Sequence, residues 1–283
     1  MEYNKIVNMV ADTLIKASSA FSSGKKTAYR NAIQNEKNAC ARWVMEEIVK
    51  NESAAVKNSS PLCDDTGIPH IVIDIGEDYV MTGRLLEAIH HGVRSGLRKL
   101  PGRPMAVKGN DYERIEQSSG MSEDPADLEC APFLLRKSSG SKLKIHIIML
   151  GGGPAIRGKT YRIFHKHNTE KFMEEIEKWA IEATKQLGCT PSTLAIGIGR
   201  SQYEASSLMM EALVDGDYES QTEMEKKITE AVNEANIGPL GLGGKHTVLA
   251  TFMKVGPQRA SGVRIVCLRP CCCFEPRIAT LEL

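Results

Sequence analysis

The sequence predicts an α/β (α+β) fold in which a mixed, partly antiparallel sheet is flanked by helices and preceded by a helical N-terminal region. Apolar residues recur at close to the helical period through residues 1–57. Over the rest of the chain, strand-like and helical segments alternate. The strand-like segments at 247–255 and 262–268 lie too close together for a crossover helix, so at least part of the sheet must be antiparallel.

The elements follow from periodicity and from turn residues. The first region contains helices at 1–18 and 36–56, and Ser59-Ser60-Pro61 ends it. Further amphipathic helices are predicted at 85–100, 170–187, 203–214 and 219–235. Short apolar and β-branched runs predict strands at 70–75, 143–150, 194–198, 247–255, 262–268 and 278–283. Glycine and proline interrupt residues 101–142, where only short strand-like pieces are expected.

Composition excludes several classes of function. The chain has 283 residues, and its 36 Lys and Arg against 35 Asp and Glu give a net charge of +1. This balance offers no reason to expect a nucleic acid or an anionic membrane as partner. No apolar run approaches the roughly 18–20 residues that span a bilayer, and the first residues do not resemble a signal peptide. We therefore expect a cytoplasmic protein whose eight cysteines bind metal or are buried rather than forming disulfides.

The segment Pro61–Gly67 places a cysteine beside two acidic residues just before a predicted strand. It can be interpreted as an acidic turn with an incidental buried cysteine. Alternatively, Cys63 is a metal ligand and the polar residues after it contact a substrate. Asp64 and Asp65 would repel each other and a neighbouring thiolate, and a nearby cation or a bound metal cluster would relieve that repulsion.

The other candidate ligands lie further along the chain. Cys189 follows Gly188, which fits a helix C-terminal cap, although a lone cysteine in this position is more often structural. Cys267 and the triplet 271–273 are too dense for ordinary packing. A local zinc site is disfavoured, because adjacent cysteines rarely reach one metal and no histidine lies nearby. Three thiolates from separate sites could instead hold an iron–sulfur cluster and leave one iron open to a substrate.

A glycine run, Gly151–Gly153, follows the predicted strand 143–150. Residues 153–160 match the phosphate-loop pattern of a nucleotide-binding transferase, but that pattern must open a helix and residues 161–164 are strand-like. Backbone N–H groups exposed by glycine to a small anion are a better interpretation. A glycine bulge at a sheet edge is the structural alternative.

Taken together, these segments resemble the iron–sulfur-dependent hydro-lyase family of class I fumarases and L-tartrate dehydratases, and in particular its α subunit or N-terminal domain. Residues 61–67 match the family motif Pro-x-Cys-Gln-Asp-Thr-Gly at all but one specified position. The remaining motifs occur in the family's order at Pro101-Gly102-Arg103, Gly151–Gly153, Cys189-Thr190-Pro191, 197–199, 236–242 and Cys273-Phe274. The resemblance covers roughly residues 40–283.

The resemblance implies a [4Fe–4S] cluster held by Cys63, Cys189 and one cysteine of 271–273. We favour Cys273, because Phe274 stands where the family has an aromatic residue, and Cys272 is the second choice. The positions that surround the substrate in the family correspond to Asp64, Asp65, Arg103, Gly151, Gly152 and Gly153. Residues 58–283 are then the cluster-binding catalytic domain, continuous with the helical region 1–57.

The chain departs from the family pattern at two places. Asp64 replaces the usual glutamine, and an ionised aspartate would repel a substrate carboxylate that a glutamine amide could bind. The hypothesis that follows is a substrate other than fumarate or malate, such as another 2-hydroxy acid or an analogue that bears a hydroxyl or amine. Gly256-Pro257 stands nearest to the family's His-Pro pair, and no histidine lies between Val255 and Cys267.

The resemblance also implies a partner. The family's catalytic base belongs to its β part, so no base is assigned in this chain, which ends where the family's N-terminal domain ends. We expect a heterodimer of α and β chains that reversibly dehydrates a small 2-hydroxy (di)carboxylic acid. The competing class is a non-catalytic iron–sulfur or metal-binding protein, such as a sensor or an assembly factor. Asp64, Asp65 and Arg103 favour the enzyme, since a cluster carrier has no use for them.

Overall fold

The computed structural model describes residues 2–283, so the prediction made for Met1 lies outside the described residues. The helices are α1 (Tyr3–Ser19), α2 (Ser23–Asn35), α3 (Ala39–Asn58), α4 (Gly83–Lys99), α5 (Asp111–Glu116), α6 (Gly152–Ala155), α7 (Thr169–Leu187), α8 (Gln202–Asp215) and α9 (Glu223–Glu234). The strands are β1 (Ile68–Ile75), β2 (Leu134–Lys137), β3 (Lys144–Leu150), β4 (Lys159–Phe164), β5 (Ser192–Gly199), β6 (Val248–Val255), β7 (Val263–Cys271) and β8 (Arg277–Glu282). The α/β class with a helical N-terminal region is confirmed.

The chain divides into two compact units. The first unit comprises residues 2–20, Glu52–Gly151 and Arg277–Leu283. The second unit comprises Phe21–Asn51 and Gly152–Pro276. The predicted division at residue 57 into a helical region and a cluster-binding domain concerns function and stays a prediction.

The first unit is built on a four-stranded mixed sheet of order β2-β1-β3-β8. β1 pairs parallel with β2 and antiparallel with β3, which in turn pairs antiparallel with β8. Helices α1 and α4 pack together and bury their apolar faces with alternate residues of the sheet, such as Ile71, Ile73 and Ile145. The two helices approach closely where Gly92 lies against Val10, so a methyl group at position 92 would overlap that valine. This core supports β1, the strand that follows residues 61–67.

The second unit has its own mixed sheet, of order β4-β7-β5-β6. β5 is buried along its whole length and pairs parallel with β6 and antiparallel with β7. One face of this sheet packs against α7 and α9, with Trp179 and Ile228 in the core. Helix α8 packs against β5 at the alternate residues, so the sheet is covered by helices on both faces.

The Gly197-Ile198-Gly199 sequence is explained by this packing. A Cβ atom on Gly197 would overlap the Ala205 carbonyl oxygen and the Met209 nitrogen of α8. A Cβ atom on Gly199 would lie 2.8 Å from the Ala205 nitrogen. These glycines therefore let the backbone of a helix lie directly on the strand, and their role is close packing.

Two predicted details change in the structure. The segments 247–255 and 262–268 are antiparallel in direction, as expected, but β5 lies between them, because β6 and β7 pair with opposite sides of that strand. Helix α5 falls in a region where only strand-like pieces were expected. Asn110 and Glu113 form a reciprocal capping box that stabilises this short helix, whose residues are all at least partly exposed.

Within residues 2–283, no helix is both long and apolar enough to cross a bilayer.

Candidate functional site

The first cysteine lies in a tight turn that connects α3 to β1. The Thr66 amide donates to the Asp64 carbonyl at 3.0 Å, and Gly67 adopts a left-handed φ of 89°. The Cys63 thiol is half-buried and donates to the Asp64 carboxylate at 3.2 Å. The turn therefore holds Cys63, Asp64 and Asp65 at the start of a buried strand.

Arg277, the first residue of the C-terminal segment of the first unit, holds this turn in place. Its side chain is 1% exposed, and one guanidinium nitrogen donates to the carbonyl oxygens of Asp65 at 2.8 Å and Thr66 at 3.0 Å. A second nitrogen donates to the Met149 carbonyl oxygen at 3.2 Å. One buried side chain thus fixes the cysteine turn to the end of β3, two residues before the glycine run.

Replacing Arg277 with methionine should lower the free energy of unfolding by about 3–5 kcal/mol, because the three carbonyl oxygens lose charge-assisted donors in a buried position. Urea unfolding of the cluster-free chain measures the change. The exposed Arg114→Met variant in α5 serves as the control and should stay within about 0.5 kcal/mol of the unchanged protein. A small effect of Arg277→Met, matching that control, would show that Arg277 does not hold the cysteine turn in place.

The structure brings two of the predicted substrate-binding residues together. The guanidinium of Arg103 lies 4.0 Å from the carboxylate of Asp64, and both side chains are exposed, at 58% and 84% respectively. The hydrogen bond from Cys63, a backbone amide and the charge of Arg103 hold the pKa of Asp64 below its ordinary value. The turn accordingly presents a paired carboxylate and guanidinium to solvent.

A buried hydroxyl lies beside that pair. The Thr66 side chain is 4% exposed, and its oxygen has no hydrogen-bond partner among the described residues. Thr66 also lies against Gly102, where any Cβ atom would come within 2.7 Å of its methyl carbon. Close contact with Thr66 therefore fixes the position of the segment that carries Arg103.

The glycine run begins where β3 ends. Gly151 ends the segment Glu52–Gly151 of the first unit, and Gly152 and Gly153 open α6 in the second. A Cβ atom at Gly152 would meet open space, so at this position the backbone is uncovered. A substrate contact at Gly151–Gly153 stays a prediction.

The phosphate-loop pattern does not form a phosphate loop. Gly158 precedes β4, in which Lys159 and Thr160 pair with Leu268 and Cys267 of β7. The Lys159 ammonium lies over the ring of Trp179, 4.2 Å from its centroid. The segment therefore continues as a strand instead of opening a helix, which argues against nucleotide binding there.

Cys189 and Cys273 are brought together in the second unit. Gly188 caps α7 with a φ of 76°, as predicted, and leaves Cys189 exposed. The Cys273 amide donates to the Cys189 carbonyl oxygen at 2.8 Å. Residues more than eighty positions apart in the chain thus share a backbone hydrogen bond, and both were predicted as ligands.

The glycine-rich loop before β6 supports the Cys189 segment. The Thr190 hydroxyl donates to the Gly238 carbonyl oxygen at 2.6 Å, and the Leu240 amide donates to the Thr190 carbonyl oxygen at 3.2 Å. Leu240 has a left-handed φ of 51°. The motif at 236–242 and the motif at 189–191 are therefore one structural feature.

The three adjacent cysteines have different environments. Cys271 is the last residue of β7, where burial raises the pKa of its thiol far above the ordinary value. Cys272 is half-buried and Cys273 is buried. A hydrogen bond between the side chains of Cys272 and Cys273, together with burial, raises the pKa of Cys273. The choice between Cys273 and Cys272 as ligand stays a prediction, with the backbone bond to Cys189 favouring Cys273.

Two residues of α2 complete this part of the site. Lys25 is fully buried, and its ammonium donates to the Glu275 carbonyl oxygen. Burial lowers the pKa of Lys25 to about 8, while the neighbouring thiols of Cys272 and Cys273 raise it. The Tyr29 hydroxyl donates to the Cys273 carbonyl oxygen at 2.7 Å. Neither residue was predicted, because Lys25-Lys26 in a helix is typical of a solvated surface.

The donors in the second unit are suited to a thiolate-bound metal group. Exposed Cys189 lies next to Cys273, a buried cation lies beside the triplet, and no disulfide joins any of the eight cysteines. Over residues 2–283, no three His, Cys, Asp or Glu side chains are grouped as the ligands of a single metal ion. Cys63 belongs to the first unit, so the complete three-cysteine ligand set stays a prediction.

Comparison with known proteins gives the family. A family model described as "Fumarate hydratase (Fumerase)" matches residues 7–282. The chain is 24% identical, over 97% of its own length and 96% of the relative's, to a protein of Methanocaldococcus jannaschii named "Putative L(+)-tartrate dehydratase subunit alpha". It is 22% identical, over 95% and 88% of the two lengths, to the L(+)-tartrate dehydratase subunit alpha of Escherichia coli strain UTI89.

These names are those of hydro-lyases, and the match extends over nearly the whole chain. It includes all three motifs that the structure shows to be held by buried contacts, at Cys63, at Cys189 and at Cys273. The chain belongs to the fumarate hydratase (Fumerase) family of hydro-lyases.

Proposed function

We propose that this chain is the α subunit of an iron–sulfur-dependent hydro-lyase that reversibly dehydrates a small 2-hydroxy (di)carboxylic acid. The proposed ligands of its [4Fe–4S] cluster are Cys63, Cys189 and Cys273. The observation that supports this most directly is the backbone bond between Cys189 and Cys273, in a chain whose family match covers residues 7–282. A non-catalytic cluster carrier would need neither the exposed Asp64–Arg103 pair nor the uncovered backbone at Gly152.

When bound, the cluster would supply a Lewis acid for the substrate hydroxyl. The residues of this chain bind and orient the rest of the substrate. Arg103 presents a planar guanidinium suited to a carboxylate, and its position is fixed by the contact between Gly102 and Thr66. The N–H groups of Gly151–Gly153 are the proposed donors to a second carboxylate or hydroxyl oxygen. Asp64 limits which substrates Arg103 accepts, because it already lies beside that guanidinium.

The proposal includes a partner. Both relatives described above are named as alpha subunits, and no catalytic base is assigned in this chain. We therefore propose that a β chain supplies the base and that the active enzyme is a heterodimer of α and β chains. A cytoplasmic location is part of the same proposal.

The test is anaerobic reconstitution of the full chain with iron and sulfide, followed by mixing with a candidate β chain. Dehydration of a panel of 2-hydroxy mono- and dicarboxylic acids is then measured for the α chain alone, the β chain alone and the mixture. We expect turnover from the mixture only. Full turnover by the α chain alone would contradict the need for a partner, and a chain that takes up no iron and sulfide would overturn the cluster.

A further inference from the structure

Helix α2 contains a buried lysine, Lys25, that donates to a backbone carbonyl oxygen and not to a carboxylate. Lys25 is completely buried, and its ammonium donates to a backbone carbonyl oxygen, that of Glu275. It also lies over the ring of Phe21, 4.8 Å from the centroid. No ion pair with a carboxylate is formed by Lys25 within residues 2–283. A buried ammonium without an ion-pair partner is unfavourable, and a negative charge close to it lowers that cost.

The carboxylate of Glu275 acts on Lys25 through its charge. Glu275 is fully buried and also accepts from the Arg269 guanidinium at 3.0 Å, which offsets much of that charge. The other groups close to Lys25 that can become negative are the thiols of Cys271, Cys272 and Cys273. Neutral thiols supply no charge, whereas thiolates bound to metal do.

The same helix holds the backbone of the proposed ligand. The Tyr29 hydroxyl donates to the Cys273 carbonyl oxygen at 2.7 Å, and its ring stacks on Phe21 with centroids 5.4 Å apart. The amide of Cys273 is bound to Cys189, so the residue is held from both sides by fixed partners. Phe274 in turn lies 6.2 Å from Phe21, ring to ring. Helix α2 therefore contributes both a charge and a rigid aromatic support to the cysteine segment.

We propose that Lys25 is the buried counter-charge of the iron–sulfur cluster and that Tyr29 is a positioning residue for Cys273. The inference rests on the proposed function, because it requires a thiolate-bound cluster. Three thiolates outweigh the positive charge of an oxidised [4Fe–4S] core, so the assembled group is an anion. A single buried cation next to its ligands compensates that charge and favours the reduced form, which carries one more negative charge.

The test compares Lys25→Met with Lys26→Met, since Lys26 is the adjacent and exposed lysine of the same helix. Both full-length variants are reconstituted anaerobically, and their iron and sulfide content, reduction potential and rate of cluster loss in air are measured. For Lys25→Met we expect a more negative reduction potential and cluster loss faster on the order of tenfold, because a buried charge loses its partner. Lys26→Met should behave like the unchanged protein. Tyr29→Phe should also accelerate cluster loss. It should shift the reduction potential less than Lys25→Met does.

Thermal unfolding of the chains with and without the cluster separates a counter-charge from a purely structural lysine. Without a cluster, Lys25→Met removes both a buried charge and the donor to the Glu275 carbonyl oxygen, so its unfolding temperature should fall less than it does in the cluster-loaded protein. A fall in unfolding temperature that is as large without the cluster as with it would overturn the inference. So would a loaded variant with unaltered potential and unaltered cluster lifetime, a result that leaves the proposed function intact. If the unchanged protein itself takes up no cluster, the proposed function and this inference both fail.

Discussion

Replacing Cys273 with serine should abolish cluster retention and lower the hydro-lyase activity of the assembled enzyme on the order of 10³-fold or more. Residues that merely surround a metal site already cost about 10–100-fold when mutated, and the loss of a ligand should exceed that. Cys272→Ser should keep most of its iron. Iron and sulfide content after anaerobic reconstitution measures the difference directly, before any activity is assayed.

The distinction between these neighbours rests on how their backbone is held. Cys273 is fixed through its amide to Cys189 and through its carbonyl oxygen to Tyr29. Cys272 is half-buried, and its carbonyl oxygen accepts from the Glu275 amide in the turn that follows. A ligand that keeps one iron open must be held rigidly, and the doubly anchored residue meets that requirement better.

The exposed Cys40→Ser variant serves as a control for the loss of a thiol far along the chain from the triplet. The Cys40→Ser variant should take up as much iron and sulfide as the unchanged protein does. If Cys272→Ser loses the cluster and Cys273→Ser retains it, the third ligand is Cys272. Retention of the cluster by both variants would exclude the triplet as a source of an essential ligand.

The elements of the fold were predictable where the signal is local. The periodicity of 170–187 matches α7, and the apolar run at 143–150 matches β3 within one residue. The order of strands was not predictable in this way, because β5 enters between β6 and β7 through contacts far apart in sequence. Short spacing between two strands fixed their direction but not their pairing partner.

The residues of the site show the same difference between local and long-range signals. Cys63, Asp64 and Arg103 could be found because contiguous motifs contain them. Lys25 and Arg277 contribute to the site only through the folded chain, and nothing in their immediate sequence distinguishes them from surface cations. Their burial beside backbone carbonyl oxygens is a property of tertiary structure, which a pattern in one segment cannot indicate.

Changing Asp64 to glutamine should shift the substrate preference of the assembled enzyme toward dicarboxylic acids. The Asp64 carboxylate lies 4.0 Å from Arg103 and competes with a substrate carboxylate for that guanidinium. Glutamine keeps a similar shape, removes the negative charge and adds an amide donor. Because juxtaposed like charges cost several kcal/mol, we expect kcat/KM for a dicarboxylic 2-hydroxy acid to rise roughly 10- to 100-fold relative to that of the native substrate.

The effect should fall on specificity and leave stability unchanged. Both side chains are more than half exposed, and an exposed ion pair contributes at most about 1 kcal/mol to folding. A matched control is Asp111→Asn, which removes a carboxylate from another exposed Asp–Arg pair, that with Arg114, and should alter neither property. Iron content must be equal in all samples, since Asp64 also accepts a hydrogen bond from Cys63.

An unchanged ranking of substrates in the Asp64→Gln enzyme would show that Asp64 does not face the substrate. The family assignment would survive that result, because it depends on the match over residues 7–282. The same result would contradict the competition between Asp64 and a substrate carboxylate for Arg103, since removing the neighbouring carboxylate must strengthen the attraction of Arg103 for any anion it meets. The substitution therefore tests whether this one departure from the family motif decides which hydroxy acid the enzyme accepts.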